Sequence, residues 1–369
     1  MYKFFTFILF FFQLSFAQEI NFNEDEVKER LEILNKNTPL ELVYNSSVAK
    51  HIKAYIFRGR SSISTMLAAT NYYFPVIEPI LDTYNIPLEL KYLPVIESRF
   101  NPTAKSPVGA RGMWQIMFNT AKEYNLIISS YVDERMDVVK STKVACQYLL
   151  ESNSRFNDWT TSIASYNAGK YGVLKAIKRS GGKKSYWDFR PFLPKETREY
   201  IPKLIAAIYV MNYAEEYNIY PNNELNVFNQ NIDSVHIERE LDFEEFSKLI
   251  DLSEEQIKDL NPSYKLGLVP NVEQRKFYIN LPINTIEYFL ANKDSIYQNL
   301  ESNKKTKNLP SYEEMVKKIN YKIKPGDSVG KISQKFNCRI KDILLWNDMK
   351  NTKIIAGKYL KIYVNADFE

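Results

Sequence analysis

Ile86-Pro-Leu-Glu-Leu-Lys-Tyr-Leu-Pro-Val-Ile-Glu-Ser98, followed after Arg99 to Lys105 by Ser106-Pro-Val-Gly-Ala-Arg-Gly-Met-Trp-Gln-Ile-Met117, is the most informative stretch of the chain. Pro87 is tolerated in a first helical turn, and Leu90, Leu93 and Ile96 fall along one side, so the first part reads as a helix. Pro94 is expected to kink that helix, and Asn101-Pro102 to end it. Glu97 then stands near the helix C-terminus, directly after Val95 and Ile96. The negative end of the helix dipole and the apolar neighbours both disfavour a charged carboxylate there. An ordinary Glu, with a pKa of about 4.3, is ionised at neutral pH; a rise of ~2 units, worth about 2.7 kcal/mol, makes it a usable proton donor. One Glu among 44 acidic residues carries no such meaning alone, so its surroundings must supply it.

Outward from this stretch, from Glu24 to about Ala214, apolar residues recur at three- and four-residue steps. Val27, Leu31 and Leu34, then Leu149, Leu150 and Ile163, then Leu204 and Ile208 show this helical periodicity. The pattern breaks at Tyr220-Pro-Asn-Asn223, after which short β-rich pieces such as Ser234-Val-His-Ile237 begin. A second break, Glu301 to Pro310, is polar and charged, the composition of a solvated linker. Sliding the chain by 86 positions lays Phe246–Leu252 over Ile332–Cys338, Ile257 over Ile343, Leu260 over Trp346 and Asn261 over Asn347. Val235 and Ile237 fall on Tyr321 and Ile323 in the same register. Two copies of one small unit are therefore expected, each a short strand, two short helices and a returning strand, Lys276–Leu281 in the first and Lys358–Val364 in the second.

The 369 residues exceed one typical domain, and with 45% hydrophobic residues, 26 Tyr and 22 Phe they have the apolar surface to fold. Only 11 Gly argues against a Gly-rich nucleotide-binding fold and for a mainly α chain. The net charge of +5, from 49 basic and 44 acidic residues, demands no nucleic acid and suits an anionic polymer without requiring one. Cys146 and Cys338, far apart among apolar neighbours, read as buried thiols rather than a bridge. With only His51 and His236, both without a ligand-like spacing, neither a metal nor another cofactor is expected. Met1-Tyr-Lys3, the apolar run Phe4–Phe12 and the small residues of Ser15-Phe-Ala17 read as a cleavable export signal. The alternative, a membrane anchor, falls short of the ~20 apolar residues of a spanning helix. No Cys follows the cleavage site, so no lipid or other stable membrane anchor is expected, and the mature protein is placed outside the cytoplasm, periplasmic or cell-wall associated.

Glu97-Ser-Arg-Phe-Asn-Pro-Thr-Ala104, with Ser106, Gly109-Ala-Arg-Gly112 and Trp114-Gln-Ile-Met117 at their spacing, resembles the signature of soluble-lytic-transglycosylase (SLT, glycoside hydrolase family 23) catalytic domains. Asp158-Trp159 with Ile163-Ala-Ser-Tyr-Asn-Ala-Gly169 resembles that family's second signature, and Leu193-Pro-Lys-Glu-Thr-Arg-Glu-Tyr-Ile-Pro202 its third. Leu40 to Leu90 is similar to the helical lead-in of the membrane-bound lytic murein transglycosylase D type. The resemblance implies a mainly α, lysozyme-like catalytic domain with Glu97 as its sole catalytic acid, then base. In the mechanism that the resemblance implies, Glu97 would protonate the departing glycosidic oxygen between N-acetylmuramic acid and N-acetylglucosamine, the substrate's N-acetyl group would steady the oxocarbenium-like centre, and Glu97 would then take the C6 hydroxyl proton. A 1,6-anhydro ring results without water, and an attacking hydroxyl already on the sugar avoids the entropy cost of a separate nucleophile. Ordinary glycosidases pair two carboxylates; Asp133, Glu134 and Asp137, beside Arg135, read instead as structural pairing.

By the same resemblance Ser106 and Gln115 hydrogen-bond the acetamido and hydroxyl groups or else scaffold the loop, Met117 packs on a sugar face, and Tyr166 and Asn167 line the groove. Gly109 and Gly112 serve backbone geometry and Trp114 packs under the loop. Tyr200 and Glu196 reach the cleft, with an ion pair to Lys195 or Arg198 as the other reading of Glu196. His51 and His236 are read as without a role.

Tyr321-Lys-Ile-Lys-Pro-Gly-Asp327, with Ile332, Phe336, Asn347, Gly357 and Leu360, resembles a LysM domain. Gly326 permits the turn and Asp327 can cap the following helix. The first copy has Glu240-Leu241 where the second has Gly326-Asp327, so it resembles a degenerate LysM, of βααβ form like the second. Such modules hold the N-acetylglucosamine-containing backbone of peptidoglycan or chitin; spacers are the alternative. The expected organisation is a signal peptide (1–17), a helical lead-in (18–80), the SLT domain (81–219), the degenerate module (220–285), a helical and charged linker (286–318) and the LysM domain (319–365). The function implied is that of an exported peptidoglycan lytic transglycosylase acting on glycan strands, with a hydrolytic muramidase or a non-catalytic wall-binding protein as alternatives.

Overall fold

Residues 22–222, 231–273, 275–303, 312, 317–336, 338, 340–347, 349 and 351–364 are described by a computed structural model; the expected signal peptide and residues 304–311 and 313–316 of the expected linker lie outside the described residues. The chain is mainly helical up to Tyr217. Helices α1 (Glu24–Asn35), α2 (Ser46–Lys53) and α3 (Arg60–Thr83) lead in, with Asn23 and Asn45 accepting backbone N–H groups at the starts of the first two. Helices α6 (Val138–Phe156), α7 (Trp159–Arg179) and α9 (Lys195–Asn212) complete the core, in which Ile52, Ile63, Leu90, Trp114, Cys146, Ile163 and Tyr209 are buried. Asp158 caps α7 through a 2.6 Å bond from Thr161 N. In α9, Pro202 removes the N–H that would pair with Arg198 O. That carbonyl accepts instead from Arg190 Nε at 2.7 Å and Tyr186 Oη at 3.0 Å, which fixes the short helix α8 (Tyr186–Phe189) against α9. No described helix is long and apolar enough to cross a membrane.

Pro94 does not kink one continuous helix. Leu88–Tyr92 form a 3-10 turn, and α4 (Leu93–Glu97) restarts with Pro94 in its own first turn, where a missing N–H costs nothing. The helix ends at Glu97, ahead of Asn101-Pro102, because Arg99 (φ 56°) and Phe100 (φ 60°) turn left-handed and bury Phe100 against the Tyr73 ring, 5.8 Å away.

After residue 231 the two copies appear as expected. In the first, β1 (Ile232–Ile237) pairs antiparallel with β4 (Phe277–Pro282), Val235 opposite Ile279, and between them lie β2 (Leu241–Asp242), α10 (Phe243–Ser247), α11 (Glu254–Leu260) and β3 (Leu268–Val269), with β2 and β3 paired. In the second, β5 (Lys317–Lys322) pairs with β6 (Tyr359–Val364) around α14 (Val329–Lys335) and α15 (Ile340–Trp346), Tyr321 opposite Leu360. The register is kept in chemical detail. Asn261 donates to Ile257 O and Asn280 O (both 2.9 Å) and accepts from Asn280 N (2.7 Å); Asn347 donates to Ile343 O and Lys361 O (both 2.8 Å) and accepts from Lys361 N (2.7 Å). Each Asn thereby ties the second helix of its module to the returning strand.

Residues 283–302, mostly expected as linker, are helical but packed. In α12 (Ile283–Ala291) and α13 (Lys293–Ser302), Phe289, Ile296, Tyr297 and Leu300 join the core of Phe243, Phe246 and Ile257, because their apolar residues recur at helical steps. Asp327 does not cap α14, which Ser328 does through Lys331 N; Asp327 closes the preceding turn, accepting from Tyr321 Oη (2.9 Å) and Lys324 N (2.8 Å), with Gly326 at φ 84°. Both cysteines are buried, Cys146 fully so.

Candidate active site

Glu97 is the last residue of α4, and its surroundings come from α7, α9 and the loop 104–117. Tyr200 Oη donates a hydrogen bond to Glu97 Oε1. Burial pushes the Glu97 carboxyl up to about 7, against the lowering effect of the Tyr200 bond; the Glu196 carboxylate adds to the rise and the Lys203 ammonium opposes it. Glu196, Tyr200 and Lys203 sit at helical spacing on α9, which is how one helix delivers three groups to one acid. The phenols of Tyr200 and Tyr166 are held far above their ordinary range by burial and the adjacent Glu97.

The loop is tied by its own backbone. Arg111 and Ile116 exchange two bonds (3.1 and 3.0 Å), Gly112 N reaches Ala104 O at 3.0 Å, and Ser98 Oγ donates to Met113 O at 2.8 Å, fastening the loop to the residue after the acid. Gly112, at φ 83°, passes so close to the chain that an added Cβ would stand 1.8 Å from Arg135 O. Trp114 is buried under the loop, its Nε1 donating to Thr142 Oγ1 at 2.8 Å.

Ser106 and Gln115 are occupied in this framework. Ser106 Oγ accepts from Ala110 N at 2.9 Å, and Gln115, itself left-handed at φ 47°, donates through Nε2 to Gly112 O at 2.8 Å. The Ser106 hydroxyl hydrogen and the Gln115 carbonyl oxygen are not used in these bonds. Tyr166 Oη donates to Trp114 O at 2.7 Å and its ring meets Tyr148 edge-on, so Tyr166 joins α7 to the loop. Asn167 Oδ1 accepts from Thr197 Oγ1 at 2.8 Å, joining α7 to α9, and Gly169 (φ 72°, ψ 151°) breaks α7 just beyond. Met117 is half-buried at the start of α5 (Phe118–Glu123). Glu196 is exposed, and among the described residues no ion pair joins it to Lys195 or Arg198.

Asp133, Glu134 and Asp137 are engaged as structural groups. Asp133 grips Arg135 through two bonds (2.9 and 2.7 Å), Glu134 pairs with Lys140 and accepts from Ile127 N at 2.7 Å, and Asp137 caps α6. His51 has a role the sequence did not reveal: its Nε2 lies 2.9 Å from Glu199, which also pairs with Arg190 at 3.0 Å. These three residues brace α2 and α8 against α9, and their separation along the chain left no local signal.

The transglycosylase SLT domain model matches residues 76–189, which include Glu97, the loop and Tyr166. Residues 76–189 thus form a transglycosylase SLT domain. The LysM-like domain of lytic transglycosylase MltD matches residues 231–298 and the LysM domain residues 321–362, so the two copies of the enzyme's repeat are both LysM-type modules. The first model extends through α12 into α13, in keeping with their packing. The chain is similar to membrane-bound lytic murein transglycosylase D of Escherichia coli (strain K12), 26% identical over 86% of this chain and 69% of that protein. It is similar to soluble lytic murein transglycosylase of the same strain, 34% identical over 30% of this chain and 18% of that protein. Among solved structures, the 70 kDa soluble lytic transglycosylase of Escherichia coli aligns with 50% of this chain and 33% of its own, at 22% identity and a TM-score of 0.34.

Proposed function

We propose that this enzyme cleaves the β-1,4 bond between N-acetylmuramic acid and N-acetylglucosamine in peptidoglycan and leaves 1,6-anhydromuramic ends, outside the cytoplasm, in remodelling of the wall. The observation that carries this is the Glu97 carboxyl, which burial poises at about 7, while Asp133, Glu134 and Asp137 are committed to structural bonds. A group near neutrality can give its proton to the departing oxygen and then take one from the C6 hydroxyl, so one residue serves both halves of the reaction. Tyr200 holds the carboxylate in place. Ser106 keeps a hydroxyl hydrogen, and Gln115 a carbonyl oxygen, for the sugar's acetamido and hydroxyl groups. Met117, Tyr166, Asn167 and Glu196 would line the groove that takes the glycan. The second LysM module holds the enzyme on the N-acetylglucosamine-containing backbone.

Digestion of purified peptidoglycan and identification of the released ends tests the reading. Terminal 1,6-anhydromuramic acid is expected; reducing muramic ends in its place would make the enzyme a muramidase, and no release by the parent protein would make it a binder.

A further inference from the structure

The first LysM-like module is joined to the catalytic domain by backbone. Val132 and Tyr264 form an antiparallel bridge, Asp133 N donates to Ser263 O and Lys265 N to Tyr131 O (both 2.9 Å), and Lys265 Nζ reaches Ser129 O at 2.8 Å. Tyr131 and Val132, although they precede α6 of the catalytic domain, are buried in the module's own core with Val235, Phe243 and Tyr264. The loop that makes this joint is longer than its counterpart in the second module: Asn261 and its strand partner Asn280 are 19 residues apart, Asn347 and Lys361 only 14.

From the joint the contacts run directly into the catalytic loop. Asp133, fixed by Ser263, grips Arg135, which is 1% exposed, and Arg135 Nη1 donates to Gly109 O at 2.9 Å, while Arg135 O lies under Gly112. The backbone between these two glycines belongs to the loop that carries Ser106 and Gln115 and is fastened beside Glu97 by Ser98. A buried guanidinium with three placed bonds has one geometry, so it transmits the position of its partner rather than absorbing it.

We propose that the first LysM-like module is a positioning element of the catalytic site, docked through residues 263–265 and acting on the loop through Arg135. Arg135 is a positioning residue: it touches the loop, not the substrate. This rests on the proposed activity, and it divides the labour of the two modules, the first serving turnover and the second attachment to the wall.

The test uses the full chain with Arg135→Gln, Arg135→Lys and Lys265→Pro, which removes the N–H bonded to Tyr131 O. Release of glycan ends is expected to fall by about tenfold or more in Arg135→Gln and Lys265→Pro, mostly in kcat, with partial rescue in Arg135→Lys. Hydrogen exchange at residues 109–115 should quicken in both affected variants while that of α9 is unchanged, and cosedimentation with insoluble peptidoglycan should stay at the parent's level. Lys265→Pro with parental turnover, or lost turnover without faster exchange at 109–115, would overturn the proposal. If Lys265→Pro does not fold, the two Arg135 variants decide between the same outcomes. A parent that releases no glycan ends defeats the proposed activity, whereas the exchange measurement still judges the coupling.

Discussion

Tyr200 Oη donates its hydrogen to Glu97 Oε1 across 103 residues of chain, so the acid at the end of α4 is held by the middle of α9. The bond favours the charged carboxylate and works against the burial that raises the acid's pKa to about 7. The two influences together set the acid near the operating pH.

Tyr200→Phe removes the lowering influence and leaves the burial. The alkaline limb of the pH–rate profile, which falls near 7 as Glu97 loses its proton, should move to higher pH in the variant, while maximal turnover drops because the carboxylate is no longer aimed. Initial rates of glycan-end release from pH 4 to 9 check this; a limb that moves to lower pH would contradict the assignment.

Glu97→Gln should cut turnover by about a thousandfold with binding to insoluble peptidoglycan retained. It should also change stability in a defined window. The folded protein holds the Glu97 proton more tightly than the unfolded chain, so the stabilisation from that group is full below the unfolded pKa, near 4.5, and is lost as pH rises through about 7. Melting temperatures measured across this window should fall less steeply in the Gln variant than in the parent.

Gly112→Ala places a methyl group 1.8 Å from Arg135 O at a backbone angle of φ 83° that L-residues seldom adopt. Backbone rather than a flexible side chain opposes it, so a loss of about 3 kcal/mol or more is expected, read as a lower denaturation midpoint together with lost turnover.

Asn347→Ala removes three hydrogen bonds, two to Lys361 of β6 and one to Ile343 O of α15, worth about 2–3 kcal/mol together. A unit this small has little core to spare. The variant should lose cosedimentation with peptidoglycan while the rate on soluble glycan fragments stays within about twofold of the parent, since the catalytic domain is untouched. Asn261→Ala should instead lower the rate, because its module is docked on the catalytic domain.

Local sequence was enough for whatever depends on nearest neighbours. The three- and four-residue steps of Val27, Leu31, Leu204 and Ile208 marked helices, the 86-residue shift found the repeat down to Asn261 and Asn347, and Val95-Ile96 before Glu97 pointed to a raised pKa. Local propensity also misled where backbone bonding had choices: Pro94 started a helix instead of bending one, and Ser328 took the cap expected of Asp327. Tertiary structure alone brought Tyr200 to Glu97, His51 to Glu199 and Ser263 to Asp133. The physical reason is range. Helical periodicity and capping act within a few residues of one chain segment, whereas these pairings exist only after the cores of α4, α7, α9 and the first module have packed and left each polar group one place to bond.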